Sequence, residues 1–116
     1  MNPLNLLTLK LHYFIHPKSA TTRALKASIA KWTRWSNGGM RKDEHLGCSS
    51  CPLCTLFVEA GCRGCPVYAT TGYNSCRFTP YGEAHYEWQA DPRRGQSERF
   101  KKAAAREAAF LKSLLK

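Results

Sequence analysis

Residues 48–76 read CSSCPLCTLFVEAGCRGCPVYATTGYNSC, and all six cysteines of the 116-residue chain lie within this stretch. Their spacing is C-x2-C-x2-C-x7-C-x2-C-x10-C. Two thiolates three residues apart can hold one metal ion while the backbone N–H groups between them point at the sulfurs. Repetition of that unit at 51/54 and 62/65 is typical of a tetrahedral thiolate site. The stretch therefore predicts a small domain that folds around a metal.

The identity of the ligands stays partly open at the level of sequence, because zinc needs four donors and the chain offers six thiols. The predicted ligands are Cys51, Cys54, Cys62, Cys65 and Cys76, with Cys48 as a spare candidate and His45 and His85 as possible additions. We expect Zn²⁺. The Cys-Pro steps at 51/52 and 65/66 also occur in iron–sulfur proteins, although the spacing departs from the ferredoxin run. An iron–sulfur cluster is therefore the first alternative, and disulfides or free thiols are the second.

A catalytic role for the metal is not expected. Catalytic zinc keeps an open coordination position beside a general base. The zinc deaminases place a glutamate two residues after their first ligand, and neither Cys48 nor Cys51 has one there. The carboxylates are scattered, so a cluster for Mg²⁺ is also missing from the sequence pattern. We expect a structural metal site and no enzyme activity.

The charge of the chain is unevenly distributed. The net charge of +10 divides into +8 over residues 1–42, −4 over residues 43–92 and +6 over residues 93–116. Basic segments flanking an acidic module indicate an anionic partner, either nucleic acid or an acidic protein surface that resembles one. The predicted partner-binding residues are Arg23, Lys26, Lys31, Arg34, Arg99, Lys101, Lys102, Arg106 and Lys112.

The hydrophobic pattern predicts a mainly α-helical single domain with CxxC knuckles and a long amphipathic C-terminal helix. Residues 6–15 alternate like a β-strand, so residues 1–17 read as a strand-like extension that could add to the edge of a partner's sheet. Residues 20–36 form a predicted basic helix that Asn37-Gly38-Gly39 ends, and residues 48–90 are the cysteine module. Within the module, short helices are predicted after Cys51 and Pro66 and a longer one over 80–90. Residues 93–116 hold the basic C-terminal helix, placed at 96–115.

The size and composition fit a metal-stabilised protein of the cytosol. A domain of 116 residues buries a modest core and is often reinforced by metal. No signal sequence is convincing, and no segment approaches the about 18 uninterrupted apolar residues of a membrane span. Since cytosolic thiols stay reduced, this location favours metal over disulfides.

The order of motifs resembles a group of small, uncharacterised, cysteine-rich bacteriophage proteins. The residues that carry this resemblance are Ser28-Ile-Ala-Lys-Trp32, Cys51-Pro-Leu-Cys54, Phe57, Cys62-Arg-Gly-Cys65-Pro-Val67, Thr71-Gly72, Cys76 and Thr79-Pro-Tyr81. The resemblance covers roughly residues 25–90. It implies a phage or prophage origin, a location in the host cytoplasm and a metal-stabilised fold, but no particular activity.

Three classes of function follow from these patterns. The first is a non-enzymatic zinc-stabilised phage protein that engages nucleic acid or a nucleic-acid-handling host complex. The second is a phage inhibitor of a host defence or transcription protein that acts by direct contact. The third is an iron–sulfur protein. Trp32, Trp35 and Tyr81 could stack on bases if they were exposed, but we expect such aromatic residues to lie in the core.

Overall fold

A computed structural model describes residues 18–47, 50–57, 61–62, 64–73 and 76–115. The predicted strand-like extension at 1–17 and the spare cysteine Cys48 lie outside the described residues. The described part is mainly α-helical and contains no strand. Its elements are α1 (Lys18–Ser36), α2 (Pro52–Phe57), α3 (Pro66–Thr71), a 3₁₀ turn (Cys76–Phe78), α4 (Pro80–Ala90) and α5 (Glu98–Ser113).

The ends of the helices follow from local side-chain chemistry. Thr79 caps α4 because its hydroxyl accepts a hydrogen bond from the Tyr81 N–H, and Pro80 supplies the fixed φ of a first helical position. Ser97 caps α5 in the same way through the Phe100 N–H, at 3.1 Å. Gly72 ends α3 with a left-handed φ of 78°. The predicted helix at 80–90 is confirmed, and the predicted helix at 96–115 is shortened to the residues between Ser97 and Leu114.

Helices α1 and α5 pack against each other and form the centre of the core. Trp32 and Trp35 meet edge to face with ring centroids 4.9 Å apart, and Trp35 lies 6.4 Å from the ring of Phe100. Ala103 and Ala104 are fully buried in the same core, where their small side chains let the helices approach closely. The two tryptophans are therefore core residues, as expected, and are not available to stack on bases.

A buried carboxylate organises the turn between α4 and α5. The Asp91 carboxylate accepts hydrogen bonds from the backbone N–H groups of Arg93, Gly95, Gln96 and Ser97, at 2.9–3.0 Å. These bonds satisfy donors that would otherwise be buried without partners. Gly95 adopts a φ of 93°, which favours glycine. The turn therefore sets the angle at which α5 enters the core.

An ion pair holds the loop that follows α1. The guanidinium of Arg34 donates to both carboxylate oxygens of Glu44, at 2.7 and 2.5 Å, and also to the carbonyl of Gly39, at 2.6 Å. The Arg41 N–H adds a fourth hydrogen bond, 2.8 Å from the Glu44 carboxylate. We call this group the Arg34–Glu44 clasp. It fixes the loop whose residue Leu46 packs into the core beside the cysteine module.

Within the described residues, no helix is long and apolar enough to cross a membrane.

Candidate metal centre

Five cysteines converge on one cavity of about 240 Å³. The thiol-bearing residues in its wall are Cys51, Cys54, Cys62, Cys65 and Cys76, which are the five ligands predicted from sequence. Helices α1 and α5 complete the wall with Ser28, Lys31 and Glu107. Thiols that are spread over 26 positions of the sequence thus face the same small volume.

Short helices and turns position these thiols. Cys51 directly precedes α2 and Cys54 lies in its first turn, whereas Cys65 caps α3. Cys62 has a left-handed φ of 68°, which is uncommon for a residue with a side chain. Cys76 begins the 3₁₀ turn. The repeated Cys-Pro step therefore places a cysteine at the start of each short helix, because proline is favoured at the first helical position.

The pKa of the Cys51 thiol is strongly lowered. A hydrogen bond from Cys54, backbone N–H groups and the Lys31 ammonium together lower it to about 5, against the effect of burial. A pKa near 5 makes the Cys51 thiolate the dominant form at neutral pH. Since the thiolate is the form that binds metals, the site presents one ready ligand in the folded chain.

Two other thiols are held in the protonated form. Burial raises the pKa of Cys65, and backbone N–H groups of Val67 and Tyr68 only partly offset this effect. Burial, with the neighbouring charge of the Cys51 thiolate, raises the pKa of Cys76 to about 12. A bound cation would reverse this effect, because coordination deprotonates thiols outright. Metal uptake by this cavity is therefore expected to release protons.

Lys31 was predicted to belong to the basic surface, but its ammonium lies at the cavity. The Nζ atom donates to the carbonyl of Ser50 at 2.8 Å and lies 4.8 Å above the ring of Trp35. Burial lowers the pKa of Lys31, while the charges of Cys51 and Cys54 raise it. A half-buried cation beside two thiols stabilises an anionic centre. The helical pattern placed Lys31 on the basic face of α1, and it did not predict that the ammonium lies over the rings of Trp32 and Trp35.

Two polar residues in the cavity wall were not predicted from the sequence as functional residues. Ser28 is 1% exposed, and its hydroxyl has no hydrogen-bond partner within the described residues. Glu107 is 3% exposed, and burial raises its pKa to about 8. Its Oε1 atom lies 3.3 Å from the Thr79 hydroxyl. One feature of the sequence could have identified them: Ser28 on α1 and Glu107 on α5 are polar residues on otherwise apolar helix faces.

The thiols surround the cavity without meeting at one point. Among the described residues, no three side chains of His, Cys, Asp or Glu lie close enough to hold a single metal ion. Neither of the two histidines considered as ligands, both in the described part, contributes to the cavity wall. His45 accepts a hydrogen bond from the Gly47 N–H, and His85 stacks on Tyr81.

The predicted partner-binding cations divide into exposed and engaged residues. Arg34 and Arg106 are engaged in ion pairs with Glu44 and Glu83, and Lys101 pairs with Glu98 at 2.8 Å. Among the predicted partner-binding residues, those that are exposed and form no ion pair within the described ranges are Arg23, Lys26, Arg99, Lys102 and Lys112. The first two lie on α1 and the others on α5.

In the part of the chain that the structure describes, three large aromatic side chains are exposed, in contrast to the buried Trp32 and Trp35. Tyr73 and Phe78 are 54% and 63% exposed, and their ring centroids are 4.4 Å apart. Tyr73 also contributes to the cavity wall. Tyr86 on α4 is 68% exposed.

No family model, curated protein or solved structure matches this chain. Its function is therefore inferred from the chemistry of the cavity and the charge of the surface.

Proposed function

We propose that the chain is a non-enzymatic, metal-stabilised binding protein that engages nucleic acid or a nucleic-acid-handling host complex. The observation that carries the proposal is the convergence of five thiols on one cavity. A thiolate centre there, holding zinc or an iron–sulfur cluster, would join the segments of the cysteine module beside α1 and α5. The resemblance to phage proteins supports a location in the cytoplasm of a bacterial host.

The metal supplies stability that the fold itself lacks. Helices α2 and α3 are six residues each, too short to be stable without tertiary contacts. Cysteines at the start of each helix, joined through one centre, hold these elements in place. The free energy of metal binding is then part of the free energy of folding.

The partner-binding surface is the set of exposed cations on α1 and α5. Arg99 and Lys102 are three residues apart, so they lie on the same side of α5. Both side chains are exposed. Contacts from such cations to phosphates give affinity without reading the base sequence, and this affinity falls as counterions compete.

The experiment is a salt titration of binding to labelled single- and double-stranded oligonucleotides, followed by fluorescence anisotropy, with the metal-loaded protein. Affinity should fall steeply with salt. The double variant Arg99→Gln, Lys102→Gln should reduce the slope of log K against log salt by about two phosphate contacts.

The matched control is Lys42→Gln, which removes an exposed cation from the loop after α1. It should leave the slope nearly unchanged. Absence of binding at low salt, or equal losses for the α5 variant and the control, would contradict the nucleic-acid surface.

A second candidate function is inhibition of a host protein by direct contact, and the exposed Tyr73–Phe78 ring pair favours it. Exposed aromatic residues are enriched among the residues that dominate protein interfaces. Host-lysate capture after nuclease treatment separates this function from the first. Capture should be lost in Phe78→Ala and retained in Tyr86→Ala, which removes a ring of similar exposure from α4. Equal capture by both variants would exclude the ring pair as the contact.

A further inference from the structure

We propose that the cavity takes a polynuclear iron–sulfur cluster of the [4Fe–4S] kind, held by four of its five thiolates, in place of a single zinc ion. This inference rests on the proposed function, because it names the occupant of the same thiolate centre. It depends on the volume of the cavity, the five thiols that line it and the polar groups in its wall.

The volume exceeds what one ion needs. Zinc–sulfur bonds of about 2.3 Å place four sulfurs about 3.8 Å from one another, so the sulfurs themselves enclose the ion. A cavity of about 240 Å³ is larger than the about 150 Å³ cavity that holds a benzene ring. Since protein interiors contain few large voids, this volume is suited to a group of several atoms.

The thiols are arranged around that volume. They come from the starts of α2 and α3, from the turn before α3 and from the 3₁₀ turn. All five line one common volume. A [4Fe–4S] cluster is held by four cysteine thiolates, so the wall contains enough of them.

The wall also offers hydrogen-bond donors that a single ion would not use. The Ser28 hydroxyl is buried in the wall and lacks a partner among the described residues, which is costly unless an acceptor lies nearby. The inorganic sulfides and thiolate sulfurs of a cluster are such acceptors. The Lys31 ammonium lies in the same wall and balances the negative charge of a thiolate-ligated cluster.

The test uses the full chain, expressed with added iron and purified without oxygen. Iron, zinc and acid-labile sulfide are measured per chain, and Mössbauer spectra identify the iron species. About four irons and four sulfides per chain are expected, with a broad visible absorption, as for a [4Fe–4S] cluster. Apoprotein incubated with ferric iron, sulfide and a thiol reductant, which reduces part of the iron, should regain the same spectrum.

The other outcomes overturn the inference in distinguishable ways. One zinc per chain without sulfide, and no cluster after reconstitution, would refute the cluster but leave the metal-stabilised binding protein intact. A folded protein without metal, with its cysteines free or in disulfides, would refute both the cluster and the proposed function.

Two variants test the wall residues through the reduction potential of the cluster, which would not shift if these residues only supported folding. Ser28→Ala should assemble the cluster but shift its reduction potential to a more negative value, because a hydrogen bond to sulfur stabilises the reduced, more negative cluster. Lys31→Gln should shift the potential in the same direction through lost positive charge. The matched controls are Ser113→Ala and Lys42→Gln, which change exposed residues and should leave the potential unchanged. Unchanged potentials in both wall variants would contradict these contacts.

Discussion

The Arg34–Glu44 clasp leads to a specific prediction about stability in acid. The variant Glu44→Gln removes the carboxylate charge but keeps an oxygen that can accept hydrogen bonds. In the native chain, hydrogen bonds from Arg34 lower the pKa of Glu44 from 4.5 to about 2, against the effect of burial. The group therefore stabilises the folded state in its ionised form.

The magnitude follows from that pKa shift. A fall from 4.5 to about 2 corresponds to about 3.4 kcal/mol between the two protonation states. The Arg34 side chain is 39% exposed, so solvent screening reduces the expected contribution to about 1–2 kcal/mol. Since the pKa is lower in the folded state, the contribution is complete well above pH 4.5 and is lost as the pH falls towards 2.

The assay is urea denaturation of both proteins at pH 7 and at pH 3, followed by circular dichroism. Glu44→Gln should be less stable by about 1–2 kcal/mol at pH 7, and this difference should shrink by more than half at pH 3. Loss of metal in acid affects both proteins and cancels in the comparison. The control is Asp43→Asn, which neutralises the adjacent exposed carboxylate and should have little effect. A difference of equal size at both pH values, or none at pH 7, would refute the reasoning.

Three further predictions concern the metal centre and the turns. Cys65→Ser, or removal of metal with a strong chelator, should unfold the cysteine module, visible as lost metal by elemental analysis and lost helicity by circular dichroism; a metal-free protein of native helicity would contradict this. Gly95→Ala should destabilise the chain more than Gly72→Ala in thermal unfolding. Both glycines have left-handed φ values, but only the new Cβ at 95 would crowd Met40, 3.1 Å from its Cβ atom, and equal losses would show that this contact does not matter. Asp91→Asn should cost about 1–3 kcal/mol in urea denaturation because a charged acceptor of four backbone N–H groups is lost, and a cost near zero would contradict its role in the turn.

The helices could be predicted from sequence because their limits depend on neighbouring residues. Thr79-Pro80 and Ser97 act on backbone groups within three positions, so the starts of α4 and α5 are local properties. The same holds for Pro66 and Gly72 at the two ends of α3. The C-terminal helix begins later than predicted because Ser97 caps it, its hydroxyl accepting a hydrogen bond from the Phe100 N–H.

The composition of the cavity wall could be predicted only in part. Cysteine spacing predicted that five thiols lie together, and all five contribute to the cavity wall. That they bind a metal stays a prediction. The spacing did not show which side chains of α1 and α5 share the wall with them, because this depends on contacts between elements distant in sequence.

The sequence by itself determined the residue types at the centre, the helix limits and the positive charge of the two long helices. Only the tertiary structure decided which side chains from α1 and α5 enter the cavity. Lys31 lies next to Trp32 in sequence, and its direction depends on which helix face the cysteine module covers. Ser28 and Glu107 are polar residues on apolar helix faces. Only the packing of these faces shows that both side chains line the cavity. The physical reason is that local periodicity specifies the faces of a helix, whereas burial is set by packing between elements distant in sequence.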